Sequence, residues 1–295
     1  MKVKVPGLHV GKGLSDGVVT SFPVWTDAEH LDDIVTGAAA QVTAGELPVG
    51  PQVGRVTVTN EGKQSSLLLE GELLEGGWQT RALTSDLLLA PGETATADVV
   101  CVERGRWEGD SAHIRRARRV SPSVQQVLRG RDGSSAQARQ GEVWARVARY
   151  EATIARTRSE SLGDHRDSVG GPVGLEQATR PGQVGVMVGI AGWPVHLELF
   201  GSRAALAAHL PGIVAAARLD ARLASHAEVV PGRRARRFAE LIEALSLAAA
   251  VPAGAGQAVS GREGTTAARG IATLGGRVAH LSVLNLRHEL VEASA

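Results

Sequence analysis

The sequence predicts an α+β fold. An antiparallel β-rich N-terminal half, sandwich-like or a curved sheet, is packed with a C-terminal half of helices and two β-hairpins. Three observations predict it. Residues 55–59 and 66–70 alternate apolar and polar positions around the turn Asn60-Glu61-Gly62. Residues 139–159 place Val143, Val147, Tyr150 and Ile154 on one helical stripe. Two late hairpins then repeat weakly. Residues 184–190 return as 195–200 through Ala191-Gly192, residues 267–274 return as 278–284 through Gly275-Gly276, and each return strand carries His-Leu (His196-Leu197, His280-Leu281).

The remaining elements follow in chain order. Residues 18–24 read as a strand. Residues 27–40 read as a helix, with an acidic start and Leu31, Ile34 and Val35 at helical spacing. Residues 80–89 and 94–103 form two more strands around Ala90-Pro91-Gly92-Glu93. The expected organisation is a β-rich domain over 1–110, a basic and polar connector over 111–140 and a helix-and-hairpin domain over 141–295. Residues 130–140 read as loop, and 163–181 as a mobile Gly- and Asp-rich loop. Helices are expected at 203–223 and 233–250, covering one face of a sheet built from the late hairpins.

Composition narrows the function classes. Lys+Arg (32) and Asp+Glu (31) nearly cancel over 295 residues, so no global field draws the chain to nucleic acid or membrane. A charged partner must meet a local patch, and two are present: Arg115, Arg116, Arg118 and Arg119, and Arg233, Arg234, Arg236 and Arg237. The single cysteine, Cys101, excludes an intrachain disulfide and a cysteine zinc site. It follows two valines and reads as a small buried hydrophobe. No apolar segment follows the first residues and no apolar run approaches ~20 residues, so the expected location is the cytoplasm. The nine histidines show no metal-site spacing, and the sequence leaves the cofactor unknown.

Two segments concentrate chemistry. In the first, from Leu69 to Arg81, Glu70 and Glu72 are expected on one strand face, Gly76 and Gly77 permit a sharp bend, and Gln79 and Arg81 share a face. The second runs from Cys101 through Glu103 and Arg106 to Trp107. Both segments resemble the signature of a bacterial domain family, the ARG and rhodanese-phosphatase-superfamily-associated protein domain. Its pattern L-x-G-E-x-L-x-G-x-x-Q-x-R is matched by 69–81 and its C-V-E-x-G-R-W by 101–107. Phe22-Pro23-Val24, Val143-Trp144, Gly182-Gln183-Val184-Gly185 and 197–201 extend the likeness. Trp78 stands where the family pattern has Lys, and Thr80 where it has Asn. The resemblance implies a gene-neighbourhood link to ADP-ribose or NAD metabolism, or to conflict systems, and no established activity.

The leading expectation is a domain binding a small anionic molecule, such as a nucleotide or ADP-ribose derivative. Arg81 and Arg106 would hold the anion, Glu72 and Gln79 would read hydroxyls or a base edge, and Gly76, Gly77 and Trp107 would shape the pocket. The rivals are a hydrolase or transferase using Glu72 and Glu103 as an acid–base pair, and a structural or partner-docking protein using the arginine runs.

Overall fold

The computed structural model describes residues 2–130, 135–168 and 178–292. The chain opens with β1 (Lys2–Lys4), β2 (Leu8–Val10), β3 (Leu14–Ser15) and β4 (Val19–Thr26). These do not pair with the strands that follow them in sequence. They join β14 (Gly185–Ile190), β15 (Trp193–Phe200), β16 (Ser246–Ala253), β17 (Gly256–Glu263), β18 (Thr266–Thr273) and β19 (Val278–Asn285). The result is a 10-stranded sheet in the order β1-β16-β17-β18-β19-β15-β14-β4-β2, with β3 beside β4. The β14–β15 hairpin turns where expected. Ala191 (φ 49°) and Gly192 (φ 79°) both take the positive φ that a two-residue hairpin turn demands.

The curved sheet expected from the N-terminal half closes on itself. β6 (Val42–Gly45), β7 (Arg55–Asn60), β9 (Glu72–Gly76), β10 (Arg81–Leu83), β12 (Thr94–Cys101) and β13 (Ala112–Arg119) form a barrel in the order β10-β12-β7-β6-β13-β9. Closure abolishes the two sheet edges. Beside it lies a small sheet of β11 (Leu87–Leu89), β8 (Ser65–Leu68) and β5 (Ile34–Thr36), with β5 parallel to β8. Residues 111–140 supply the closing strand β13 and then α1 (Pro122–Arg129), while 131–134 lie outside the described residues.

Several expectations change. The strands around Asn60-Glu61-Gly62 do not pair as a hairpin: β7 lies between β12 and β6, and β8 between β11 and β5. Residues 80–89 split into β10 and β11, which belong to different sheets. Residues 27–40 form no α-helix. The β-branched triplet Ile34-Val35-Thr36 pairs with β8, and Gly37 (φ 61°) leads a single 3-10 turn, Gly37–Ala39. The helix expected over 233–250 ends sooner, as α5 (Gly232–Glu243). The alanine-rich segment after it becomes β16 because β1 and β17 bind its two edges, and pairing overrides helix propensity. Helices also cover both faces of the large sheet. Val186, Val188 and Ile190 pack under α4 (Arg203–Ala221), whereas Met187, Leu197 and Leu199 pack under α5. That alternation is the period of two of strands buried on both faces.

The long helix is α2 (Ala136–Thr153), begun by the Ser135 hydroxyl accepting from the Ala138 N–H. Its Val143, Val147 and Tyr150 stripe packs on α1 and on the barrel residues Leu73, Ala82 and Val100. α3 (Leu162–Ser168) occupies the start of the expected mobile loop, whose residues 169–177 lie outside the described part. Among the described residues no helix is long and apolar enough to cross a membrane.

Candidate functional site

The two signature segments lie in one sheet. β9 pairs with β10 and β10 with β12, with Arg81 opposite both Leu74 and Cys101. At this end of the barrel Arg106 organises the bend. Its guanidinium donates to both Glu103 carboxylate oxygens (3.0 and 2.7 Å) and to the carbonyls of Gly77 (2.6 Å), Glu108 (2.7 Å) and Gly76 (3.3 Å). Gly76 (φ 80°) and Gly77 (φ 59°) turn those carbonyls toward it. Gly77 also makes room below: a Cβ there would sit 2.1 Å from the His113 imidazole. The glycines therefore serve the guanidinium and the histidine ring. Glu103 accepts in addition from the Thr80 N–H at 2.8 Å. Burial raises its carboxyl, but the bonds from Arg106, Thr80 and Ser159 outweigh burial and hold it below the usual carboxylate range.

Beneath the rim lies a second layer. The Arg81 side chain is fully buried and donates to Glu46 Oε1 (2.9 Å) and to the Arg55 carbonyl (3.1 Å). Glu46 Oε1 also accepts from the Trp78 N–H at 3.3 Å. His113 Nε2 lies 3.3 Å from the same oxygen, without the alignment of a hydrogen bond. Trp107, 43% exposed, covers this layer, with its ring centroid 5.8 Å from the Arg81 guanidinium and 5.6 Å from Trp78 in a T-shaped contact. Four buried atoms in this layer have no hydrogen-bond partner among the described residues: Glu46 Oε2, Arg81 Nε, and both nitrogens of His113. Gln79, also buried, makes no side-chain hydrogen bond in the described structure.

Cys101 borders the same layer. Burial pushes its thiol up to about 11, with Arg81 pulling it down by less. Burial likewise holds the His113 imidazole below its ordinary value, with Glu46 opposing and Arg81 adding to the effect. At neutral pH this end of the barrel thus presents a thiol and an uncharged imidazole beside an Arg–Glu pair.

The other expected residues go elsewhere. Glu70 and Glu72 do not share a strand face, because Gly71 (φ 79°) breaks the chain between β8 and β9. Glu72 is held by Arg115 (2.9 Å) and accepts from the Leu69 N–H. Glu70 is held by Arg129 (2.8 Å) and Gln125 (3.1 Å). Glu72 and Glu103 share no partner; each is committed to its own arginine.

The first arginine run is equally absorbed. Arg116 and Arg118 pair with Glu75, and Arg119 with Glu198. A bulge at Ala117 (φ 51°) re-aims the strand between Arg115 and Arg119. His196 and His280 do not meet: β15 and β19 place His280 opposite Phe200 and His196 opposite Leu284. Among the described residues no group of three or more His, Cys, Asp or Glu side chains could hold a metal ion.

Glu46 and His113 belong to the site and carry no sequence signal. Glu46 follows β6 with no motif around it, and His113 reads as the head of a basic run until β13 pairs with β6 and β9.

A family model described as the ARG and Rhodanese-Phosphatase-superfamily-associated Protein domain matches residues 7–284. The chain belongs to that family. Comparison with curated proteins and with solved structures found no match.

Proposed function

For this member of the family, we propose that the barrel end is a recognition site for a small polar molecule, read through its hydroxyl or amide groups. The ribose portion of a nucleotide or of an ADP-ribose derivative is the ligand class put forward. One observation carries the reading: the four orphaned buried atoms on Glu46, Arg81 and His113 beneath the Trp107 ring. Buried polar groups are almost always satisfied, and leaving one unmade costs about 1–3 kcal/mol. A cluster of both donors and acceptors is complementary to a diol or a carboxamide, which offers both in turn.

Arg81 and Arg106 already hold Glu46 and Glu103. Capture of an anion by either guanidinium requires that a protein carboxylate be displaced, whereas hydroxyl recognition requires none. The local charges of these two pairs cancel, which favours a neutral polar group at this depth. Gln79 and Trp107 supply an amide and an exposed ring at the entrance.

A thermal-shift series tests this with ribose, adenosine, ADP-ribose, NAD and phosphate. A ligand at 100 times its dissociation constant adds about 2.7 kcal/mol of stability. The expected result is a rise in Tm with ribose itself, which carries neither a ring base nor a phosphate, and its disappearance in His113→Ala and in Gln79→Ala. A rise that persists undiminished in both variants places the ligand elsewhere and ends the proposal.

A further inference from the structure

A cleft of about 690 Å3 lies where α5 meets the β14–β15 turn and the chain leaving β19. None of the signature residues lines it. Its size is that of a small-molecule site. Its floor is apolar, built from Trp193, Pro194, Phe238 and Leu241. Trp193 leaves 52% of its surface exposed, and the Arg234 guanidinium carbon lies over its ring at 3.9 Å from the centroid. Arg234 is fixed in that pose by donating to the Gly192 carbonyl at 2.6 Å. The tryptophan and guanidinium together form a stacking platform.

The charge around this floor is unbalanced. Arg234 is offset by Glu228 (3.3 Å) and Arg237 by Glu240 (2.8 Å). Glu289, the acidic residue on the lining, accepts from the Ser225 hydroxyl at 3.1 Å. Arg233 and Arg287 also line the cleft, and neither has a carboxylate within ion-pair distance among the described residues. Two uncompensated guanidinium groups face a flat apolar floor. His288 is not part of this chemistry: its Nε2 is spent on the Ile190 carbonyl at 3.0 Å, and its Nδ1 accepts from the Leu290 N–H.

We infer that this cleft binds an organic phosphate with a planar ring, of mononucleotide size. The ring lies against the Trp193–Arg234 platform and the phosphates bridge Arg233 and Arg287. Planar fork geometry makes arginine the side chain suited to phosphate oxygens, and an exposed indole is suited to a base. The inference stands apart from the barrel-end site, since it draws on different elements and different residues.

Calorimetric titration of the full chain with ADP, adenosine and inorganic pyrophosphate decides it. ADP is expected to saturate one site, with adenosine and pyrophosphate each weaker by about tenfold or more, because each keeps half of the contacts. The double variant Arg233→Ala/Arg287→Ala is expected to weaken ADP by about tenfold or more at unchanged Tm, since both side chains are exposed. Trp193→Leu is expected to weaken ADP and leave pyrophosphate unchanged. Arg262→Ala, an exposed arginine outside both sites, is expected to leave ADP affinity unaltered. The inference is overturned if ADP does not saturate, if pyrophosphate binds as tightly as ADP, or if the double variant retains the parent affinity. Loss of ADP binding in His113→Ala alone also overturns it, by moving the nucleotide to the barrel end.

Discussion

Two histidines sit at the centre of two charged clusters, and the clusters differ in one respect. Where the barrel side of the molecule meets the large sheet, His280 Nδ1 is 2.7 Å from Asp86 and Nε2 is 2.6 Å from Glu198. Glu198 is bonded in turn by Arg119 (3.1 Å) and the Ser282 hydroxyl (2.9 Å). Burial pushes the imidazole down, but the two carboxylates outweigh burial and raise it to about 9. At the barrel end, His113 is also buried, though less deeply, yet neither ring nitrogen makes a hydrogen bond and its value is lowered. In the first cluster both ring nitrogens are bonded to carboxylates and the histidine is charged, although Arg119 Nη1 has no partner among the described residues; in the second neither ring nitrogen makes a hydrogen bond and the histidine is uncharged. A satisfied buried network specifies packing, whereas an unsatisfied one marks a place built to receive something else.

The largest expected effect comes from breaking the first cluster. Glu198→Gln leaves the His280 imidazolium and the Arg119 guanidinium buried with less counter-charge. The expected loss is about 3–5 kcal/mol in denaturant unfolding. A loss below about 1 kcal/mol would erase the distinction drawn between the two histidines.

Next is pH. His280 has a folded value of about 9 against an ordinary 6.5, so its contribution is whole below 6.5 and fades as pH climbs toward 9. At about 1.36 kcal/mol per unit, roughly 3 kcal/mol is lost across that interval. Buried His196, lowered to about 4, acts in the opposite sense: the unfolded chain binds its proton more readily, so stability declines as pH falls from 6.5 toward 4. Unfolding free energy measured from pH 4 to 9 should therefore peak near 6.5, and a flat profile above 6.5 would contradict the charged state assigned to His280.

Smaller effects belong to the barrel end. Gly77→Ala forces a side chain onto positive φ and into the His113 ring, at a cost of about 1–3 kcal/mol. His113→Ala, by contrast, removes a ring with no well-aligned hydrogen bond, and its polar loss should be near zero, leaving about 1–2 kcal/mol of lost packing. A cost above that of Glu198→Gln would make His113 structural.

The smallest effect is expected at Cys101, which is buried with its thiol raised to about 11. Native protein should react with a small thiol reagent only as fast as it unfolds, and labelling within seconds would show that the barrel end opens.

How much of this was legible depends on the range over which each feature is fixed. Although the strands flanking Asn60-Glu61-Gly62 go to different sheets, hairpins at Ala191-Gly192 and Gly275-Gly276 were readable because alternation and turn residues are local. The burial of Cys101 was readable for the same reason. The helix expected over 27–40 was not, because the β-branched triplet inside it pairs with β8 about thirty residues away. Arg81 and Trp107, placed in two separate signature segments, meet in the fold. The partner of Arg81 was invisible, since Glu46 lies 35 residues before it, whereas Glu103 is only three residues from Arg106.

The sequence by itself determined an α+β chain, its strands and late hairpins, and two signature segments that tie it to its family. Only the tertiary structure decided that the N-terminal strands close into a barrel, that the first four strands join the late sheet, and that helices cover both its faces. It also decided which charges are spent and which remain. The reason is physical. Periodicity and turn chemistry act over a few residues and are written in the chain, whereas a charged side chain takes its role from partners that arrive from distant strands. Until β13 closes the barrel, His113, Arg115 and Arg119 read only as one basic run.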